Sequence, residues 1–195
     1  PEMLERNGHF DRGRHLARQD NWDVLSQEIR RAEQERRRTC GLTPVASLLS
    51  QGARSDAVEA VHMAIGRGDA RGARGAMAAL STIREDFPDD PVIAHVVAMA
   101  HVDLASAWAA GRSAEDLSEA HRDAYDRAMQ TASALADRFD PFELDSPMWA
   151  EARCAVLPAD PRPAARVADD FEDLIELDPG CPHHMIALGG ALLPG

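Results

Sequence analysis

Apolar residues recur along this chain at spacings of three and four, the period of a helix with one buried face. The stretch "SDAVEAVHMAI" and the stretch that follows residue 69 both show this period clearly. No run of alternating β-branched residues, the pattern typical of a half-buried strand, occurs anywhere. The pattern therefore predicts an all-α protein.

Capping residues, prolines and apolar stripes set the expected limits of each helix. A short helix is expected to start at Thr43-Pro44 and to end near Gly52. Ser113 and Asp116 resemble a capping box for the longest helix. Residues 92–110 are apolar almost all round, which predicts a helix buried on both sides. The other predicted helices span 5–18, 21–38, 56–66, 70–86, 113–139, 147–157, 162–177 and 183–193.

The stretch "GRGDARGARGAMAALSTIREDFPDDP", residues 66–91, allows two interpretations. A dinucleotide-binding loop needs a third glycine where Arg71 stands, and it needs a strand before it. A Walker loop needs a lysine, and the chain has none. The favoured interpretation is a helix ended by Gly66 and Gly68, a second helix capped by Asp69, and a stop at the prolines of "FPDDP".

A helix, a Gly-Asp turn and an alanine-rich helix closed by proline together resemble a tetratricopeptide repeat. In that family a proline follows a large apolar residue by eight positions, as from Leu80 to Pro88 and from Phe171 to Pro179. Similar turns recur at spacings of 48, 43 and about 48 residues, longer than the usual unit of about 34. The first helices depart from the family because alanine mostly replaces their large residues.

The resemblance implies an all-α, right-handed array of antiparallel helix pairs, a tetratricopeptide-like α-α superhelix with about four to five pairs. Stacked pairs share one continuous core and leave a concave surface lined by the first helix of each pair. We therefore expect a single helical-repeat domain over residues 1–195, and it remains open whether the array continues past residue 195.

The last segment carries a second, weaker resemblance, to an uncharacterised group of bacterial tetratricopeptide-like proteins. Its spacing of His184, Leu188, Leu192 and Pro194 is similar to a run in that group. The resemblance implies no activity.

Composition narrows the expected partners and compartment. The net charge of −12 should repel nucleic acid and anionic membranes, and it favours a partner with basic residues. No membrane-spanning run is expected. All 21 basic residues are arginine, which suggests a GC-rich bacterial genome. Three scattered cysteines do not form a disulfide framework, so a cytoplasmic location is expected.

Histidines and carboxylates on two helices are the candidate binding residues. His95 and Asp103 fall on a similar side of the central helix, whereas His101 falls among apolar residues. His62 lies on a first-type helix and could line the same groove. Such histidines are more often hydrogen-bonded core residues than ligand contacts, so His62, His95 and Asp103 form a candidate groove only.

Other chemistry is weaker in the sequence. Cys181, His183 and His184 resemble a metal cluster, but no second ligand pair is visible, so no metal site is expected. The acidic segments "DRFDPFELD" and "ADDFEDLIELD" are interpreted as solvated faces. No catalytic motif is found, and no cofactor is expected.

The leading hypothesis is therefore a protein–protein interaction scaffold that binds a partner segment in a concave helical groove. The alternative is a hydrolase or metal-dependent enzyme with its site in the groove or in a part beyond residue 195. A site in the groove requires three or more of the His, Cys and acidic residues to converge on one pocket. A third possibility is a homo-oligomerisation module.

Overall fold

The computed structural model describes residues 1–109 and 117–192, and their regular structure is helical. Within the described residues, a 3-10 turn at Leu157–Ala159 follows the seventh α-helix. The all-α prediction is confirmed for these residues. The α-helices are α1 (Glu2–Arg18), α2 (Trp22–Gln34), α3 (Val45–Gly66), α4 (Ala70–Asp86), α5 (Pro91–Ala109), α6 (Glu119–Ala136), α7 (Pro147–Val156), α8 (Pro163–Leu177) and α9 (Pro182–Leu192).

Some predicted features lie outside the described residues. They are the turn at residues 111–113, the capping box of Ser113 with Asp116, and Pro194. The described part of the predicted 113–139 helix starts later and ends earlier than expected. Ser118 caps α6 by accepting a hydrogen bond from the His121 amide at 3.4 Å.

Residues 45–66 form one continuous helix, so the predicted break near Gly52 is wrong. Gly52 lies inside α3, where a Cβ would overlap the carbonyl of Phe10 on α1. Gly13 on α1 similarly faces the carbonyl of Leu49. The two glycines let α1 and α3 cross at close range, and this packing offsets the cost of about 1 kcal/mol for glycine in a helix interior.

The turn between α3 and α4 agrees with the favoured interpretation of the 66–91 stretch. Gly68 has a φ of 70°, in the left-handed region that glycine adopts without strain. Asp69 caps α4 by accepting a hydrogen bond from the Gly72 amide at 2.8 Å. Because a helix precedes the turn, the strand that a dinucleotide-binding loop requires is missing here.

Helix α2 ends at Gln34, four residues before its predicted end. Arg36 has a φ of 48°, which stops the helix, and its guanidinium donates to the Glu33 carbonyl at 2.7 Å. The three consecutive arginines at 36–38 therefore lie in the loop after α2. Arg36 also donates to Asp145 at 2.6 Å, more than 100 residues along the chain.

Helix α5 is the centre of the molecule and packs against α3, α4, α6 and α7. It is buried on several sides, as its apolar pattern predicts. Among the described residues, this helix alone is long and apolar enough to cross a membrane, judged by length and composition. The expectation that the chain has no membrane-spanning run stays a prediction. Burial of more than half of the helix in the core accounts for its composition.

The described helices show two patterns of contact. Helices adjacent in the chain pack together from α1 to α9, and α3 also packs against α1 and α5, while α5 packs against α7. One main core runs from Leu16 on α1 to Val156 on α7. A smaller core around Phe171 and Leu174 joins α8 to α7.

Candidate functional site

A surface groove lies where α1, α3 and α5 meet. Its cavity of about 510 Å³ opens on the face formed by these odd-numbered helices. Both apolar and polar groups line it. The lining residues are Phe10, Arg14, Gln51, Arg54, Ser55, Val58, Glu59, His62, Asp103 and Ser106.

An ion pair spans the groove floor between α3 and α5. The Arg54 Nε donates to Asp103 Oδ2 at 2.6 Å. The Arg54 side chain is 8% exposed and that of Asp103 is 34% exposed. The pair therefore presents one carboxylate to the groove and keeps its guanidinium below.

A hydrogen-bond chain continues from this pair into the core. Arg54 Nη1 donates to Ser50 Oγ at 3.1 Å, and Ser50 Oγ lies 3.4 Å from His95 Nδ1. His95 Nε2 lies 3.1 Å from the Met148 carbonyl on α7. Because a carbonyl only accepts, Nε2 carries the proton and Nδ1 accepts from the Ser50 hydroxyl. The chain therefore links α3, α5 and α7 through consecutive hydrogen bonds.

His95 is neutral in this network. Burial, with the nearby charge of Arg54, lowers the pKa of His95 to about 3. Its ring also meets the edge of Trp149, with ring centroids 5.4 Å apart. A proton on Nδ1 would lose the Ser50 hydrogen bond and place a charge beside Arg54.

The three residues proposed from the sequence do not all reach the groove surface. His62 is exposed on its wall, and Asp103 lies on its floor. His95 is 4% exposed and lies beneath the groove, connected to Asp103 through Ser50 and Arg54. A binding role for these residues stays a prediction, and direct contact of a partner with His95 would require a rearrangement.

The sequence did not identify several residues that line the groove. Phe10, Arg14 and Gln51 carry no motif, and they meet the others only because α1 crosses α3 at Gly13 and Gly52. Arg54 could have been noticed as an arginine four residues after Ser50 on a helix with an apolar face. That signal is weak, since most surface arginines follow no such rule.

His101, also on α5, belongs to a different cavity. This cavity of about 600 Å³ lies among α4, α5 and α6, beside Trp108 and His121. Burial lowers the pKa of His101, and its Nδ1 is buried without a hydrogen-bond partner among the described residues. The expectation that His101 sits among apolar side chains agrees with this placement.

A second cluster of chemically active side chains lies at the turn between α8 and α9. Asp178, Cys181 and His184 are all buried, and their ligand atoms lie within 4.8 Å of one another. His184 Nε2 is 3.2 Å from Asp178 Oδ2, while Arg38 pairs with Asp178 Oδ1. The sequence grouped Cys181 with His183 and His184, but the structure replaces His183 with Asp178.

The acidic segments are not uniformly solvated. Asp170 and Asp178 are 7% and 5% exposed, and each lies beside an arginine. Outside these segments, Glu33 on α2 is a partly buried carboxylate. It accepts hydrogen bonds from Ser146 Oγ and the Met148 amide at the start of α7. Burial raises the pKa of the Glu33 carboxyl.

Comparison with protein-family models, with curated proteins and with solved structures gave no match. The function is therefore argued from the groove and the cluster themselves.

Proposed function

We propose that this protein is a binding scaffold that holds a segment of a partner protein in the groove between α1, α3 and α5. The observation that carries the proposal is the groove's position on the face formed by odd-numbered helices, with His62 and Asp103 in its lining.

The packing pattern supports a tetratricopeptide-like array. Adjacent helices pack together, and α1, α3, α5 and α7 form a consecutive series of neighbours. Stacked antiparallel helix pairs produce this connectivity, since the first helix of each pair packs on the first helix of the next. In such an array the odd-numbered helices line the concave surface, and we therefore assign the groove to that surface.

The groove lining suits a segment with mixed side chains. Phe10 and Val58 offer apolar surface, while Gln51 offers both a donor and an acceptor. The hydroxyls of Ser55 and Ser106 donate to carbonyls of their own helices, at 2.7 and 3.1 Å. Their oxygens can still accept a hydrogen bond from a bound chain.

Charge is balanced locally, although the whole chain is acidic. Arg14 lies 2.6 Å from Asp56, and Arg54 is paired with Asp103, so both cations are compensated. The net charge of −12 can still speed the approach of a basic partner over long range. We propose that a basic partner is attracted by the whole surface and selected by the uncharged contacts of the groove.

Selection from a library of random displayed peptides tests the proposal. The immobilised full chain is the target, and binders that also bind a Ser106→Arg/His62→Arg variant are removed at each round. Both positions are exposed, so the substitutions should leave the fold intact. Enrichment of peptides that bind only the unaltered chain supports the groove. Failure to enrich any peptide, or enrichment only of peptides that bind both proteins, contradicts it.

The enzyme alternative has one observation in its favour. Asp178, Cys181 and His184 converge, which is the arrangement that a hydrolase or metal-dependent enzyme would need. These residues are between 2% and 6% exposed, so a substrate has poor access to their reactive atoms. We therefore place the binding function in the groove and treat this cluster separately.

A further inference from the structure

We propose that Asp178, Cys181 and His184 form a binding site for Zn²⁺ or a similar divalent transition metal. The site lies at the α8–α9 turn and stabilises it. This inference does not rest on the function proposed for the groove, which lies on other helices.

Backbone geometry explains why these three residues meet. The Cys181 amide donates to the Asp178 carbonyl at 3.2 Å, and the His184 amide donates to the Cys181 carbonyl at 3.3 Å. Two successive turns of this i to i+3 type place side chains three residues apart on the same side. Residues 178, 181 and 184 therefore converge, while His183 falls out of phase.

The ligand types and distances suit zinc. Thiolate, imidazole and carboxylate are the zinc ligands found in proteins, and bond lengths of about 2.0–2.3 Å separate tetrahedral ligand atoms by roughly 3.5 Å. The Asp178 and His184 atoms are 3.2 Å apart, and no pair in the cluster exceeds 4.8 Å. Contraction by about 1 Å is therefore sufficient to enclose a metal.

Arg38 orients the carboxylate in a way common around metal sites. It occupies Oδ1 of Asp178, and Oδ2 faces the cluster. Hydrogen bonds to the outer oxygen of a ligand carboxylate fix its direction and adjust metal affinity. Arg38 thereby connects the loop after α2 to the site.

Glu151 on α7 lines a cavity of about 450 Å³ together with Cys181 and His184. Its carboxylate is not among the ligand atoms that lie within 4.8 Å of one another. We therefore assign it the fourth position through a water molecule. Three anions, the carboxylates of Asp178 and Glu151 and the Cys181 thiolate, then balance Zn²⁺ and Arg38.

The other group of similar composition is a weaker candidate. Glu2, Glu5 and Cys40 also approach one another, but Cys40 is exposed and the group has no histidine. Its thiol already donates to Glu2 at 3.1 Å. Substitution of Cys40 therefore serves as a control for the proposed site.

Titration of the metal-free full chain with Co²⁺ tests the site, because a cobalt–thiolate bond produces a strong near-ultraviolet charge-transfer band. We expect one equivalent to bind with that band and Zn²⁺ to displace it. Cys181→Ser should abolish the band, and His184→Gln should weaken binding about 100-fold or more. Arg38→Gln should weaken it about 10- to 100-fold. His183→Gln and Cys40→Ser should bind as the unaltered chain does.

A measurement on the unaltered chain keeps the test independent of variant folding. X-ray absorption of the zinc adduct should show one sulfur among its nearest ligands. Nitrogen and oxygen ligands alone, no metal retained on gel filtration, or a cobalt band lost in Cys40→Ser and kept in Cys181→Ser would overturn the proposal.

Discussion

At the scale of single residues, the hydrogen-bond chain from Asp103 to Met148 is the feature with the clearest physical consequences. Asp103, Arg54, Ser50, His95 and the Met148 carbonyl each have a partner in this chain, which helps to fix the relative positions of α3, α5 and α7. His95 is its least replaceable member, because it bridges a serine hydroxyl and a backbone carbonyl within the core.

The histidine in this chain predicts a specific pH dependence. Its pKa falls from 6.5 to about 3 on folding, so the unfolded chain binds the extra proton between those values. Neutral His95 therefore makes its full contribution to the free energy of unfolding above pH 6.5. That contribution decreases as the pH falls, by about 2 kcal/mol between pH 7 and pH 5. The His95→Gln variant should be less stable than the unaltered chain at pH 7. Between pH 7 and pH 5, however, its free energy of unfolding should decrease by about 2 kcal/mol less than that of the unaltered chain.

Urea unfolding at several pH values measures this difference, with His62→Gln as the matched control. Because other titrating groups contribute equally to both proteins, only the difference between the curves is interpreted. Parallel stability curves for His95→Gln and the unaltered chain would refute a neutral buried His95.

At the scale of helices, glycine placement sets the geometry on which the groove depends. The sequence predicts the type of structure in most segments, and it identifies the Asp69 cap and the buried character of α5. It could not predict the continuity of α3, because Gly52 has the same local signal whether it ends a helix or permits a close crossing. Only the carbonyl of Phe10, a distant contact, distinguishes the two.

Prediction of the candidate sites from the sequence is limited in the same way. Asp103 and His62 are recognisable from helical spacing, since both follow a local period. Arg54, Phe10 and the pairing of Arg38 with Asp178 depend on long-range packing that no local pattern encodes. The Asp178, Cys181 and His184 spacing of three is visible in the sequence, but it becomes meaningful only when the backbone forms two successive tight turns.

The glycine crossing gives a prediction with an internal control. Gly52→Ala should destabilise the protein by about 2 kcal/mol or more, because the added methyl group overlaps backbone atoms of α1. Gly8→Ala, on α1 where a Cβ meets open space, should instead stabilise it by about 0.5–1 kcal/mol. Denaturation midpoints measure both changes. Equal effects of the two substitutions would contradict the close crossing.

At the scale of the whole molecule, long-range contacts connect the early and late helices. Arg36 reaches Asp145 and the Leu177 carbonyl, and Arg38 reaches Asp178. The main core is continuous from α1 to α7. A single domain stays a prediction of both the sequence and these contacts, as does self-association.

Cooperative unfolding tests the single-domain prediction. Trp22 on α2 and Trp149 on α7 belong to the same core, so each reports one end of it. Two variants, each retaining one of these tryptophans with the other two replaced by phenylalanine, should show fluorescence transitions that coincide with loss of helical circular dichroism. Transitions in which Trp22 and Trp149 report unfolding in clearly separate steps would indicate two independently folding parts.

The groove is the central claim, and a binding isotherm tests it most directly. One peptide selected on the unaltered chain is titrated into that chain and into three single variants. Ser106→Arg and His62→Arg each alter the groove, whereas Thr131→Arg places the same charge in the cavity beside α6. We predict that each groove variant binds at least about tenfold more weakly, a loss of about 1.4 kcal/mol, and that Thr131→Arg binds normally. A loss confined to Thr131→Arg, or no loss in either groove variant, would contradict the account.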